Sequence, residues 1–175
     1  MKTITNHQIT ILRKVLTPEI LAALSEVERV ELGSLLSADE PGTFRLFVDG
    51  AANLSLKAAG IGGHINRNGN EVYSFAEYVG HKTNNEAEYL ALIRGIELAR
   101  DLNIDSLQIF ADSELVVRQI NGIYKVKHPN MIPLYRRVLH RLKAFEEWSI
   151  QHIPREQNTR ADELSKEGLS KGTRS

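Results

Sequence analysis

The order of strand and helix patterns after residue 42 constrains the fold more than any other feature. Three short strand patterns come first: TFRLFVD at 43–49, AGIGGHINR at 59–67 and EVYSFAEYV at 71–79. Gly- and Asn-rich segments join them, and the Asn-Gly pair in NRNGN at 66–70 is a strong hairpin signal. Helix and strand patterns then alternate. This order predicts an α/β protein whose mixed sheet carries helices on its faces.

The second half of this region supplies the alternating elements. A helix is predicted at about 84–102, followed by SLQIFAD (106–112) as a strand and SELVVRQI (113–120) as a short helix. A longer helix near 131–145, the strand EWSIQHI (147–153) and the closing helix TRADELSKEGL (159–169) complete the pattern.

Residues 1–42 have a different character and predict a small helical appendage. TPEILAAL begins with Thr17 as N-cap and Pro18 at the first helical position, and SEVERVELGSLLS also has helical spacing. SADEPG at 37–42 is the expected boundary to the main domain, 43–175. The segment has no aromatic residue and carries four basic and six acidic side chains, which disfavours contact with nucleic acid. We expect it to contact a protein partner or to stabilise the chain.

Composition excludes several classes of protein. The chain has no cysteine, which excludes disulfides and thiolate metal sites and indicates a reducing compartment, so we expect a cytoplasmic protein. No apolar run is long enough for a membrane span, and the first residues lack the apolar core of a signal peptide.

Charge is unevenly distributed although the net charge is zero. Residues 115–145 contain seven basic residues and no acidic one: Arg118, Lys125, Lys127, Arg136, Arg137, Arg141 and Lys143. Such a stretch fits a surface that holds a polyanion, or a solvated helix face.

Asp49 raises the question of how an apolar strand can end in a carboxylate. It follows Phe44, Leu46 and Val48 and precedes Gly50. An unpaired carboxylate costs several kcal/mol to bury. Either a positive group lies beside Asp49, or the strand ends there and Asp49–Gly50 is an ordinary turn pair.

The next predicted helix contains two glutamates with different expected roles. Thr83 and Glu86 have the spacing of a capping box. Glu88 lies at the centre of an apolar face, which is formed by Ala91, Leu92, Gly95, Ile96 and Ala99. A buried glutamate needs a partner, so a functional role for Glu88 is favoured over a structural one.

Two further aspartates each have a structural alternative. Asp112 ends the strand LQIFAD and could cap the next helix, and Asp162 would lie at N3 of a helix capped by Thr159. If Asp49, Glu88, Asp112 and Asp162 share one cleft, they repel each other unless cations intervene. Mg²⁺ takes such oxygen ligands, and two ions about 3.5–4 Å apart can drive phosphodiester hydrolysis.

Four motifs in order resemble the type 1 ribonuclease H family: FVDG at 47–50, TNNEAEYLAL at 83–92, FADSELVVRQI at 110–120 and REQNTRADELS at 155–165. The resemblance covers residues 43–170 and implies a ribonuclease H-like fold, with a five-stranded mixed sheet of three antiparallel and two parallel strands. It implies Asp49, Glu88, Asp112 and Asp162 as ligands of two Mg²⁺ ions, with Mn²⁺ as an alternative. It also implies hydrolysis of the RNA strand of RNA–DNA hybrids, leaving 3′-hydroxyl and 5′-phosphate ends.

The resemblance also suggests residues that bind the hybrid. Thr83 matches a position that holds a DNA phosphate, while Asn84 and Asn85 match positions in the minor groove, where 2′-hydroxyls mark RNA. Lys125 and Lys127 lie in a connection where the DNA strand would pass. His152, ten residues before Asp162, matches a histidine that assists the scissile phosphate, although SIQHIPRE indicates a strand rather than a loop.

The chain departs from the family pattern in three places. Ser55-Leu56-Lys57 replaces an Asn-Pro-Gly turn, Glu114 replaces a neutral amide, and a short connection replaces the long basic protrusion, as in compact members. The first two changes predict weaker substrate binding. The alternatives are a nuclease of the same fold acting on another nucleic acid, a non-catalytic nucleic-acid-binding module, and a fold whose acids are all caps.

Overall fold

The computed structural model of the chain describes residues 11, 15–25, 28, 32 and 43–173. The chain divides into two compact units, Met1–Thr43 and Phe44–Ser175. In the first unit, helix α1 (Pro18–Ala23) begins as predicted, with the Thr17 hydroxyl accepting the amide of Ile20 at 3.4 Å. The predicted helix SEVERVELGSLLS lies largely outside the described residues, and the boundary segment 37–42 lies entirely outside them.

Among residues 44–173, the second unit contains the mixed sheet and four α-helices. Its elements in chain order are β1 (Phe44–Asn53), β2 (Ala58–Arg67), β3 (Asn70–Gly80), α2 (Asn84–Asp101), β4 (Ser106–Ala111), α3 (Glu114–Ile120), α4 (Met131–Leu142), β5 (Glu147–His152), a short 3₁₀ helix (Arg155–Gln157) and α5 (Thr159–Thr173). None of the helices described is both long enough and apolar enough to cross a membrane.

The sheet has the order β3-β2-β1-β4-β5. β1, β2 and β3 pair antiparallel, and β4 and β5 extend the sheet from β1 in parallel. The predicted five-stranded mixed sheet is therefore confirmed. The Asn68–Gly69 turn between β2 and β3 has positive φ at both residues, as the Asn-Gly signal predicted.

One face of the sheet packs against helix α2 to form the main core. Leu46 and Val48 of β1 point to this face, and a Cβ added at Gly95 would lie 2.7 Å from a methyl group of Leu46. The small residue at Gly95 thus lets the helix lie close to the strand. The largest fully buried side chains of this core include Leu46, Ile65, Tyr89, Leu92, Ile96 and Ile109.

The opposite face packs against helix α5, which lies almost in backbone contact with β2. A Cβ at Gly62 would lie 2.1 Å from the backbone nitrogen of Ser165, and one at Gly60 would lie 2.0 Å from that of Leu169. Neither position has room for a side chain. Gly60 and Gly62 of AGIGGHINR therefore form a packing surface for α5.

Three element boundaries differ from the predictions by three residues or more, and one of them is the end of α5, which extends to Thr173 rather than to residue 169. β1 continues through Asp49 to Asn53, so the alternative that Asp49–Gly50 is a turn is wrong. The helix predicted near 131–145 ends at Leu142. It stops there because the next residues form a turn, in which the amide of Phe145 donates to the carbonyl of Leu142, and the amide of Glu146 then donates to Asp105 ahead of β4.

We expect Gly62→Ala and Gly95→Ala to differ sharply in stability. The Gly62 substitution forces helix backbone away from the sheet and should lower the free energy of unfolding by about 3 kcal/mol or more. The Gly95 substitution meets only flexible methyl groups and gains helix propensity, so its net cost should be about 1 kcal/mol or less. Urea denaturation measures both, and equal losses would contradict the difference in packing.

Candidate active site

The pairing of β1 with β4 brings Asp49 and Asp112 together. The parallel ladder between these strands ends at the pair Val48–Ala111, so each aspartate is the next residue on its strand. β1 continues beyond this point, paired with β2 alone, and Asp49 stays buried within the strand. Both carboxylates therefore lie where the parallel pairing of β1 and β4 ends, on the side of the sheet where α/β proteins commonly bind ligands.

Gly50 brings the third carboxylate to the same place. A Cβ at this position would lie 2.4 Å from the backbone of Ala87 and Glu88, so only glycine lets the start of α2 approach β1 so closely. The backbone amide of Gly50 acts to lower the pKa of the Glu88 carboxyl, against the larger effect of burial. The Asp-Gly pair is thus explained by helix–strand contact rather than by a turn.

The three carboxylates form a cluster that fits a cation. Asp49, Glu88 and Asp112 each offer an oxygen within 4.8 Å of the others. Burial raises the pKa of Asp49 to about 6, with the charges of Asp112 and Asp162 acting in the same direction. Burial also raises the pKa of Glu88, helped by Asp49 and Asp112. Glu88 Oε2 is buried and has no hydrogen-bond partner among the described residues, as expected of an oxygen suited to a metal.

Asp162 lies in the first turn of α5 and differs from the other three in its charge environment. Its carboxylate contacts Arg155 at 2.5 Å and Lys166 at 2.5 Å. Burial acts to raise its pKa, but the hydrogen bonds from Lys166 and Arg155 together lower it. The helix begins at Thr159 itself, so the prediction of Thr159 as N-cap is wrong by one residue; the Asp162 amide donates to the Asn158 carbonyl.

Two buried polar side chains around α5 hold the aspartates of the sheet. Asn158 Nδ2 donates to the Val48 carbonyl at 3.0 Å and to Asp112 Oδ1 at 3.3 Å. Ser165 Oγ donates to Asp49 Oδ2. Sequence reasoning missed both residues, together with Arg155 and Lys166, although all four lie in or next to the REQNTRADELS motif. Their role depends on contacts with distant strands, which no local pattern reveals.

The helix caps show which of the acidic residues have a structural role. Thr83 and Glu86 form the predicted capping box, in which Glu86 Oε2 accepts the Thr83 amide at 2.9 Å. Ser113 caps α3 by accepting the amide of Val116, so Asp112 is not the N-cap. The reading in which all the acids are caps therefore fails for Asp112 and for the buried Glu88.

The cluster opens into a cleft of about 550 Å³. The residues lining it include Asp49, Asn53, Asn84, Glu88, Asp112, Ser113, Arg155 and Lys166. Asn84 is the member of the predicted hybrid-binding set that lines it, and Thr83 and Asn85 flank Asn84 as exposed residues at the start of α2.

The other predicted binding residues lie on exposed segments. Lys125 and Lys127 are exposed in the loop between α3 and α4. His152 is exposed and is the last residue of β5, where it pairs with Ala111, the residue before Asp112. The strand thus reaches His152 and ends there.

Two of the three departures from the family pattern, at Glu114 and in the β1–β2 turn, have local hydrogen-bond partners. Arg118 donates to Glu114 at 2.8 Å one turn along α3, which balances the charge expected to repel a phosphate. In the β1–β2 turn, Asn53 Oδ1 accepts the Leu56 amide at 3.0 Å, and Lys57 has a φ of 46°. The side chains of Leu54 and Leu56 are exposed on this turn.

Comparison with known proteins identifies the family. A model described as "Reverse transcriptase-like" matches residues 47–168. Ribonuclease HI of Halobacterium salinarum is 33% identical over 140 residues, which cover 79% of this chain and 70% of that protein. The crystal structure of RNase H1 from the same archaeon has a TM-score of 0.71 at 34% identity and covers 74% of this chain and 99% of that one.

A second solved structure is LC11-RNase H1, isolated from compost, in complex with an RNA/DNA hybrid. It has a TM-score of 0.69 at 35% identity and covers 75% of this chain and 99% of that one. The chain belongs to the type 1 ribonuclease H family and is a hydrolase of the ribonuclease H class.

We expect Asp49→Asn to raise stability in the presence of a metal chelator. It removes one charge from a buried cluster of like charges while nearly preserving shape, so the free energy of unfolding should rise by on the order of 1 kcal/mol. Glu146→Gln removes an exposed carboxylate and is the control. Thermal unfolding in EDTA measures both, and a destabilised Asp49→Asn would show that the cluster is not repulsive.

Proposed function

We propose that this protein is an endonuclease that hydrolyses the RNA strand of RNA–DNA hybrids by a two-metal-ion mechanism. The products would carry 3′-hydroxyl and 5′-phosphate ends. The observation that carries the proposal is the cluster of Asp49, Glu88 and Asp112, whose oxygens lie within 4.8 Å of one another at the base of a cleft.

The donor set supports divalent cations, with Mg²⁺ preferred and Mn²⁺ as the alternative. Asp49, Glu88 and Asp112 would hold them, with Asp162 as the fourth ligand at the edge of the cluster. Cations bound there would activate a water and stabilise the leaving oxygen. All four groups supply only carboxylate oxygens, which suit hard cations.

The chain's own side chains would orient the substrate. Arg155 and Lys166 line the cleft, and their side chains are 68% and 59% exposed, so both can contact a phosphate while they neutralise Asp162. His152 would assist at the scissile phosphate from the end of β5. Asn84 and Asn85 would contact the minor groove, where ribose differs from deoxyribose, and the exposed Thr83 hydroxyl would contact a DNA phosphate.

The hybrid is favoured over other nucleic acids because a relative of 35% identity was solved with an RNA/DNA hybrid. A nuclease of the same fold with another substrate is the second candidate. Cleavage of labelled hybrid, double-stranded RNA and double-stranded DNA of one sequence separates the two. The proposal expects cleavage of the hybrid's RNA strand, and equal cleavage of either control duplex would contradict it.

We expect Glu88→Gln and Glu86→Gln to differ in activity. Glu88 lies in the cluster, so its substitution should lower kcat for hybrid cleavage by orders of magnitude. Glu86 caps α2, and glutamine also serves in a capping box, so Glu86→Gln should cost at most about 1 kcal/mol of stability and leave kcat near wild type. Steady-state kinetics and urea denaturation measure the pair. An inactive Glu86→Gln protein with an active Glu88→Gln protein would reverse the assignment.

Replacing Lys125 and Lys127 together by alanine tests the loop between α3 and α4. Loss of two phosphate contacts should raise KM and flatten its salt dependence, with kcat nearly unchanged. Replacing Arg136 and Lys143 removes the same charge from α4 and its C-terminal end and is the control. Should the control flatten the salt slope equally, net charge rather than the loop would be responsible.

We propose that residues 1–42 form an appendage for protein contacts or stability and take no part in catalysis. Their acidic balance and their lack of aromatic residues support this role.

A further inference from the structure

Ser165 is a buried hydroxyl at the cluster that the proposed mechanism does not use. It lies on α5, one turn after Asp162, and its side chain is fully buried. Its Oγ donates to Asp49 Oδ2 and also lies 2.9 Å from the backbone carbonyl of Asp162. The hydroxyl has one hydrogen, and a carboxylate is the stronger acceptor of the two.

Packing fixes the backbone that carries this hydroxyl. The backbone nitrogen of Ser165 would lie 2.1 Å from a Cβ on Gly62, and Gly62 is the register partner of Asp49 on β2. The helix backbone is therefore seated on the strand beside Asp49. Because the contact is made by backbone atoms, it fixes the backbone of Ser165 relative to Asp49, and the hydroxyl can leave Asp49 only by rotation of the serine side chain.

We propose that Ser165 is a positioning residue for Asp49. Its hydrogen bond to Oδ2 holds the carboxylate in one orientation. Oδ1 is then free to bind a cation without a change of side-chain rotamer. Hydrogen bonds that orient metal ligands in this way typically contribute 10- to 100-fold in metal affinity. The inference rests on the proposed cation-dependent function and assigns it a residue outside the four carboxylates.

The chain offers a matched control on the same helix. Ser170 Oγ donates to the carbonyl of Glu167 at 2.8 Å, three residues back, as Ser165 Oγ can do to Asp162. Ser165→Ala and Ser170→Ala therefore make the same change in helix propensity, and each removes a hydroxyl that lies within hydrogen-bond distance of the carbonyl three residues back. Ser165→Ala also removes the hydrogen bond to Asp49.

The test is calorimetric titration of the full chain with Mg²⁺ in the absence of nucleic acid. Ser165→Ala should weaken Mg²⁺ binding by about 10-fold or more, whereas Ser170→Ala should bind as wild type does. KM for the hybrid at saturating Mg²⁺ should be unchanged in both. Urea denaturation establishes that both variants fold.

The outcomes separate this inference from the proposed function. If wild type cleaves the hybrid but Ser165→Ala binds Mg²⁺ unchanged, the positioning role is overturned and the function stands. If wild type does not cleave the hybrid but Ser165→Ala still weakens Mg²⁺ binding, the function fails and the positioning role stands. Equal weakening in Ser170→Ala, or no Mg²⁺ binding by wild type, would also overturn the inference.

Discussion

The close contact of helix α2 with strand β1 at Gly50 is the constraint on which the site depends. With no Cβ at this position, the backbones of Ala87 and Glu88 lie against the strand. The same contact directs Glu88 toward Asp49 rather than toward solvent. Any larger residue at position 50 would separate the helix from the strand and take the third carboxylate out of the cluster.

The four carboxylates repel each other, and they differ in how far nearby cationic side chains offset that repulsion. Asp49 and Glu88 are buried among like charges, which raises the pKa of each. Asp162 instead has two cationic partners, Arg155 and Lys166. The cluster therefore combines a core that lacks positive charge with an edge that has it. A divalent cation is the complement of that core, while the positive edge suits a phosphate.

Sequence patterns predicted the elements because strands and helices depend on local periodicity. Periodicity also placed Glu88 on a buried helix face, whereas the assignment of Asp49, Asp112 and Asp162 to the same site rested on the resemblance to ribonuclease H. Strands, helices and the capping box of Thr83 and Glu86 follow from residues close in the chain. Local patterns could not predict that Asp49 lies within a strand. The Asp-Gly pair is typical of a turn, and the sequence does not show that β1 continues beyond the end of its pairing with β4. Asn158 and Ser165 could not be predicted from local patterns either, because the residues they contact lie more than 40 positions away in the chain.

Helix α5 therefore positions other residues of the site in addition to supplying Asp162. Asn158, just before its first residue, holds Asp112 and the carbonyl that precedes Asp49, and Ser165 holds Asp49 itself. Helix α5 and the residue before it therefore position three aspartates, Asp49, Asp112 and Asp162. The helix itself packs on the glycines of β2. A small shift of α5 would disturb all three at once. The glycines of β2 contribute no side chain to the site. They nevertheless help to set its geometry, because their backbone contacts determine where α5 lies.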